Sequence, residues 1–145
     1  MLKLNPYLNF LGNTEEAFNF YKSVFGGEFG ILQRFKDVAD LPDRDKLSES
    51  DLEKVMHVSL KIGDNTLMGT DALESLGHTL NVGNNISLSL SPSSKEESER
   101  LLGALAEGGK ITVPLTEMFW GGYFGMVDDK FGVHWMINYE LTPEK

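Results

Sequence analysis

Apolar positions along the chain follow two rhythms, and the same succession of rhythms occurs twice. Leu4 to Phe10 alternates with period two, placing Leu8 and Phe10 on one face of a strand and Tyr7 and Asn9 on the other. Asn13 then reads as a helix N-cap, with Glu16 three residues on completing a capping-box pattern. Ala17, Phe18, Tyr21, Val24 and Phe25 form a helical apolar stripe, and Gly26 or Gly27 supplies the left-handed residue that ends it. Glu28 to Phe35 reads as a strand. Residues 37–54 hold seven acids and three bases around a proline, which predicts a solvated loop with one helical turn. Met56 to Ile62 alternates and is joined through Gly63-Asp64-Asn65 to Thr66–Thr70, a hairpin signal.

The second half repeats this order after a connector at residues 71–84. A strand at Ile86–Leu90 leads to Ser93 or Ser94 as helix cap, with Glu96 or Glu97 closing the box. Leu101, Leu102 and Leu105 face inward, and Gly108-Gly109 stops the helix. Strands follow near Ile111–Val113, at Tyr123–Val127 and, after Asp128-Asp129-Lys130, at Val133–Tyr139. A strand–helix–three-strand unit cannot bury its own apolar face, so two copies side by side are expected to share one sheet. The predicted class is α+β: two βαβββ modules, about 1–75 and 83–141, in a single domain spanning 1–145. Together they form a curved, mostly antiparallel mixed sheet, with helices on the convex side and a small-molecule groove on the concave side.

Composition narrows the partners. A chain of 145 residues is long enough to bury a core without staples. No apolar run approaches the roughly 20 residues of a membrane-spanning helix. The polar, proline-interrupted opening Met1-Leu2-Lys3-Leu4-Asn5-Pro6 does not read as a secretory signal. Zero cysteines exclude disulfides, thiolate metal sites and cysteine nucleophiles, and a cytoplasmic protein fits best. The net charge of −9, with no cluster of Lys or Arg among aromatics, argues against nucleic-acid binding.

Strand–helix–three strands in duplicate, with Phe20-Tyr21 late in the first helix and Asp129-x-Phe131-Gly132 before the last strand, resembles the vicinal-oxygen-chelate superfamily. That superfamily includes glyoxalase I, extradiol dioxygenases, and fosfomycin and bleomycin resistance proteins. Asn5-Pro6-Tyr7-Leu8-Asn9-Phe10, Phe25-Gly26-Gly27, Leu67-Met68-Gly69-Thr70-Asp71, Phe119-Trp120-Gly121 and Phe131-Gly132-Val133-His134-Trp135 resemble its PhnB-like branch, over essentially the whole chain. Some members of that branch carry a methyltransferase-like label. Here no Gly-rich loop joins a strand to a helix, and Gly121-Gly122-x-x-Gly125 lies between strands. The resemblance implies the glyoxalase/bleomycin-resistance fold, a homodimer, and four metal-ligand positions on the first and last strands of each half. Carried over, those positions are Asn5 (Pro6 if the register slips), Met68, Asn85 and Met136. Two amides and two thioethers neither neutralise nor match a hard or borderline divalent cation, so no metal cofactor is expected.

His57 shares strand parity with Ser59 and Lys61, and His134 shares it with Met136, so both are expected to face the groove. They read either as an acid–base pair or displaced metal site, or as hydrogen-bonded residues with no proton-transfer role. His78, in an acidic connector, reads as exposed. Trp120, Tyr123 and Phe124, interleaved with glycine, read as one aromatic wall for a flat ligand, or as packing at a sheet edge or interface. Asn5, Tyr7, Asn9, Asn85, Ser87 and Ser89 would line the groove with polar groups. Arg34 reads as a partner for a ligand carboxylate or for one of the chain's own acids. Asp71, Glu74 and Glu117 sit near strand ends as possible bases, against the expectation of solvation in a chain with 22 acids. Two function classes follow: a small-molecule binder that uses no metal, and a lyase-, isomerase- or transferase-type enzyme using His57 and His134 with or without a displaced divalent ion.

Overall fold

Strand, helix and three strands recur in both halves, as the periodicity predicts. The computed structural model describes residues 1–141, and the chain divides into two units, Met1–Asn81 and Val82–Lys145. In the first, β1 (Tyr7–Phe10), α1 (Thr14–Phe25), β2 (Phe29–Arg34), a short α2 (Glu49–Glu53), β3 (Val55–Ile62) and β4 (Asn65–Asp71) form a sheet ordered β1-β4-β3-β2. In the second, β5 (Leu88–Leu90), α3 (Lys95–Leu105), β6 (Lys110–Glu117), β7 (Gly122–Asp128) and β8 (His134–Glu140) form a sheet ordered β5-β8-β7-β6. In each unit the first strand runs parallel to the last and the other pairs are antiparallel. The protein is therefore α+β, built on two four-stranded mixed sheets. Among the described residues, no helix is long and apolar enough to cross a membrane.

The core of the first unit lies between α1 and its sheet. Ala17, Phe18, Tyr21 and Val24 are buried along the predicted stripe, against Phe10, Val58, Leu60 and Leu67. Phe18 meets Phe10 and Tyr21 edge-on at 6.5 and 5.6 Å between ring centres. It sits over Gly69, where an added Cβ would come within 2.5 Å of its ring.

The cap of α1 differs from the prediction. The Asn13 side chain makes no capping hydrogen bond. Instead the buried Asp71 carboxylate accepts from Gly12 N (3.0 Å), Thr14 N (3.0 Å), Thr14 Oγ1 (2.6 Å) and Val55 N (2.8 Å). One carboxylate thus caps α1 and anchors the start of β3. In α3 the predicted logic holds: Ser94 Oγ accepts from Glu97 N at 3.0 Å, and Glu97 Oε1 accepts from Ser93 N at 3.1 Å.

Other boundaries shift for physical reasons. Residues 37–54 are more than a solvated loop. Leu41 and Leu47, in the irregular chain beside short helical turns, and Leu52 of α2 pack with Phe35, Leu73, Met56 and Leu76 into a second small core. The strand expected from Ile86 begins only at Leu88, and Ile86 is 70% exposed. Strand β6 runs well past Val113, through Pro114. It pairs on one side only, so a residue without an N–H is tolerated there.

Candidate functional site

Strand parity gives each sheet a face turned away from its helix, and most of the candidate residues lie on these two faces. In the first unit that face carries Tyr7 and Asn9 of β1, Met68 and Thr70 of β4, and His57 and Ser59 of β3, with Tyr7 beside Met68 and Asn9 beside Thr70. The Tyr7 hydroxyl and His57 Nδ1 lie 3.2 Å apart, with the rings stacked at 5.6 Å. Much of the remaining polarity serves the backbone. Thr70 Oγ1 donates to Met56 O at 2.6 Å, and Ser59 Oγ accepts from Ile31 N at 3.0 Å, where the β2–β3 register slips. Asn5 Oδ1 accepts from Thr66 N at 3.1 Å, which ties the chain before β1 to the start of β4.

Arg34 falls at a bulge opposite Val55 and meets α1. Its fork donates to Glu15 Oε1 and Oε2 at 3.0 and 2.8 Å, and to Glu53 O at 2.9 Å. The hydrogen bond to Glu15 raises the Arg34 pKa and lowers that of Glu15. Of the two partners foreseen for Arg34, the structure shows one of the chain's own acids. Open clefts lie around α2, lined by Lys54, Asp51, Glu15 and Arg34 among others. Their cations are already paired, Lys54 with Asp51 at 3.1 Å and Arg34 with Glu15, so these clefts offer a ligand little uncommitted charge.

The corresponding face of the second unit is more apolar. Phe124, Met126 and Asp128 of β7 lie beside Asn138, Met136 and His134 of β8, and Ser89 of β5 lies beside Met136. Trp120 is half exposed and meets Phe124 edge-on at 6.1 Å. It lies across Gly122, where an added Cβ would be 1.9 Å from the indole's benzo edge and 2.7 Å from Asn138 Oδ1. That oxygen is buried and has no hydrogen-bond partner among the described residues. Ser87 and Asn85 precede β5 in irregular chain, Asn85 exposed and Ser87 half-buried.

The single aromatic wall expected from Trp120 and Tyr123 is divided. Tyr123 has the opposite parity to Gly122 and Phe124, so it turns toward α3. There its hydroxyl donates to Glu99 Oε1 at 3.1 Å, and Lys95 Nζ stands 4.9 Å above its ring. Desolvation there, and then the Glu99 hydrogen bond, raise its pKa.

His134 is engaged at both ring nitrogens. Nδ1 lies 2.5 Å from Asp128 Oδ1, and Nε2 lies 2.9 Å from Gly83 O. The Asp128 hydrogen bond, and then the Gly83 carbonyl, raise its pKa, because both partners are acceptors and favour the doubly protonated ring. In this arrangement His134 clamps the residue 83 region to the β7–β8 hairpin, with both ring nitrogens committed to acceptors of the chain itself. His57 lies in the other unit with its own partner, Tyr7. The sequence does not single out Asn138; strand parity with Met136 places it on this face, but nothing in the sequence marks its oxygen as unpaired.

The superfamily's ligand positions hold the Asn5 amide, committed to Thr66, the Met68 and Met136 thioethers, and the Asn85 amide. Among the described residues, no group of three or more His, Cys, Asp or Glu side chains is gathered to hold a metal ion.

A family model described as 3-demethylubiquinone-9 3-methyltransferase matches residues 2–138. The chain is 33% identical over 142 residues to Protein YjdN of Escherichia coli strain K12, covering 94% of this chain and 95% of that one. It resembles the crystal structure of PA1353 from Pseudomonas aeruginosa at 38% identity and TM-score 0.83, covering 97% and 98% of the two chains. It resembles the PhnB protein of Bacillus cereus at 26% and 0.74, covering 95% and 99%. A glyoxalase/bleomycin resistance protein/dioxygenase family enzyme from Burkholderia phytofirmans shares the fold, at 18% identity and TM-score 0.61 over 93% and 97% of the two chains.

Proposed function

The chain belongs to the PhnB-like family whose model is described as 3-demethylubiquinone-9 3-methyltransferase, and from that premise we propose that it binds a small, flat, largely apolar molecule on the open face of its second sheet, without a divalent metal ion. The observation that carries this is the posture of Trp120. A half-exposed indole is held over Gly122 and edge-on to Phe124, on the face that also bears Met126 and Met136. Exposed apolar area costs about 25 cal/mol per Å², and covering it with a flat ligand recovers that cost. Thioethers adapt to varied ring shapes and pack well against aromatic edges.

The donor chemistry supports binding without the superfamily's metal. Two amides, one already accepting a backbone N–H, and two thioethers are a poor set for a hard or borderline dication. Methyl transfer, which the family model's description names, needs a site for a methyl donor. Gly122 and Gly125 lie inside β7, so they do not make a strand-to-helix nucleotide loop. A homodimer in the cytoplasm belongs to the same proposal: β2 and β6 each pair on one side only and need cover. A monodisperse monomer in sedimentation at micromolar concentration, or recovery of the protein outside the cytoplasm on fractionation, would contradict it.

The test is a thermal-shift panel of planar aromatic compounds on wild type and Trp120→Ala. Stabilisation of wild type that the variant loses is the expected result; no stabilisation across a broad panel refutes the proposal. Acid–base chemistry is the second reading, favoured by the stacked, hydrogen-bonded Tyr7–His57 pair. Metal analysis of protein purified without chelator, beside His57→Ala and His134→Ala, separates the two. Stoichiometric zinc, nickel or manganese lost in both variants would favour an enzyme.

A further inference from the structure

We infer that Asn138 selects the ligand: the second sheet's open face takes planar molecules carrying an N–H or O–H donor on their edge, and discriminates against the same ring without it. The inference rests on the binding reading above and names the ligand class for that face. Asn138 stands beside Phe124 in the β7–β8 ladder, so its side chain emerges on the face that carries Trp120 and the two thioethers. Its Oδ1 is buried and lacks a hydrogen-bond partner among the described residues. Buried acceptors are almost always paired, because an unpaired one forfeits its bonds to water without recompense.

The slot that holds this oxygen exists because residue 122 is glycine. A Cβ there would stand 2.7 Å from Asn138 Oδ1 and 1.9 and 2.4 Å from Cζ3 and Cη2 of Trp120. The indole therefore closes the slot with its benzo edge, the edge opposite its own N–H. Trp120 thus borders the same slot as the oxygen with carbon atoms and offers it no proton.

A flat ligand that displaces or stacks on this ring brings its own edge to the slot. A donor on that edge completes Asn138, whereas a methylated donor leaves the oxygen buried and unpaired. Sites built to hydrogen-bond a ligand donor reject the analogue that lacks it far more strongly than apolar walls reject an extra methyl group. Discrimination of about ten-fold or more is expected from one unpaired buried group.

Two matched pairs test this, indole against 1-methylindole and phenol against anisole, titrated calorimetrically into wild type, Asn138→Leu and Gly122→Ala. Wild type is expected to bind each donor about ten-fold or more tightly than its methylated partner, with the Asn138 side-chain amide resonances moving only for the donors. Asn138→Leu, similar in volume, should bring the donors down to the level of the methylated compounds and leave the latter unchanged. Gly122→Ala, which fills the slot by moving the far edge of an exposed indole, should abolish the preference within each pair, and it tests the idea independently should Asn138→Leu fail to fold. Equal wild-type affinity within each pair overturns the assignment of Asn138 and leaves the binding face standing. Failure of all four compounds to bind, in line with a failed aromatic panel, overturns both.

Discussion

Replacing Asp71 by asparagine should cost far more than its conservative chemistry suggests, because the carboxylate serves two elements at once. It is 2% exposed and receives four hydrogen bonds, from two backbone N–H groups and a hydroxyl at the start of α1 and from Val55 N at the start of β3. An amide keeps one oxygen for the α1 end. It then presents either an NH2 to Val55 N–H, donor against donor, or the reverse arrangement at Thr14. Losing a hydrogen bond to a charged acceptor costs about 1.5–3 kcal/mol. Removing the negative charge from the helix N-terminus adds about 0.3–1 kcal/mol. Because these effects share one side chain they are not additive, and about 3 kcal/mol is the expected loss. At about 2–4 °C per kcal/mol for a chain of this size, the midpoint should fall by roughly 6–12 °C.

The control is Asn13→Ala. Asn13 occupies the N-cap position but makes no side-chain capping bond, so its replacement should stay within about 0.5 kcal/mol. Urea unfolding followed by circular dichroism measures both variants. Equal losses for the two, or a loss below about 1 kcal/mol for Asp71→Asn, would refute the assignment of the cap to Asp71.

Two further perturbations read other parts of the structure. His134 has its pKa raised by Asp128 and the Gly83 carbonyl, so its contribution to stability is complete below its unfolded pKa of about 6.5 and is lost as pH climbs through the higher folded value. The stability difference between wild type and His134→Gln should therefore shrink as pH rises above neutrality, and a difference flat in pH would sink the clamp. Gly69→Ala should cost about 1–3 kcal/mol by overpacking, because the new methyl would sit 2.5 Å from the ring of Phe18, which is fully buried between α1 and the sheet. Unchanged denaturant midpoints would show that α1 can move outward freely.

What was legible in the sequence was whatever a single periodicity encodes. The stripe through Phe18, Tyr21 and Val24 and the alternation in β3 and β4 each report burial on one face, and burial is what those patterns record. Three features lay beyond it. The cap of α1 comes from a residue 57 positions away from Thr14, and capping-box arithmetic looks only three residues ahead. Leu41 and Leu47 reach their small core from irregular chain and Leu52 from the short α2, too irregularly spaced to register as a period. Trp120 and Tyr123 looked like one wall because they are neighbours in sequence. Once Gly122–Asp128 is a strand, Tyr123 must face the side opposite to Gly122 and Phe124.

The two open faces, built on one topology, differ in what they leave for a ligand. On the first, Tyr7 and His57 bond each other, and Thr70, Ser59 and Asn5 bond the backbone. A ligand seeking those groups must break existing hydrogen bonds to make its own, an exchange worth little net free energy. On the second, Trp120 is half exposed, two thioethers lie near Phe124, and one buried amide oxygen is unpaired among the described residues. There a ligand gains apolar contact without displacing a hydrogen bond, and gains a hydrogen bond without breaking one. The same reasoning limits acid–base chemistry. His134 must surrender Asp128 or Gly83 before it can act, whereas His57 has only Tyr7 to release. Any proton transfer this protein performs should therefore depend on His57 and survive Asp128→Asn. A pH–rate profile that shifted with Asp128→Asn and ignored Tyr7→Phe would reverse that order.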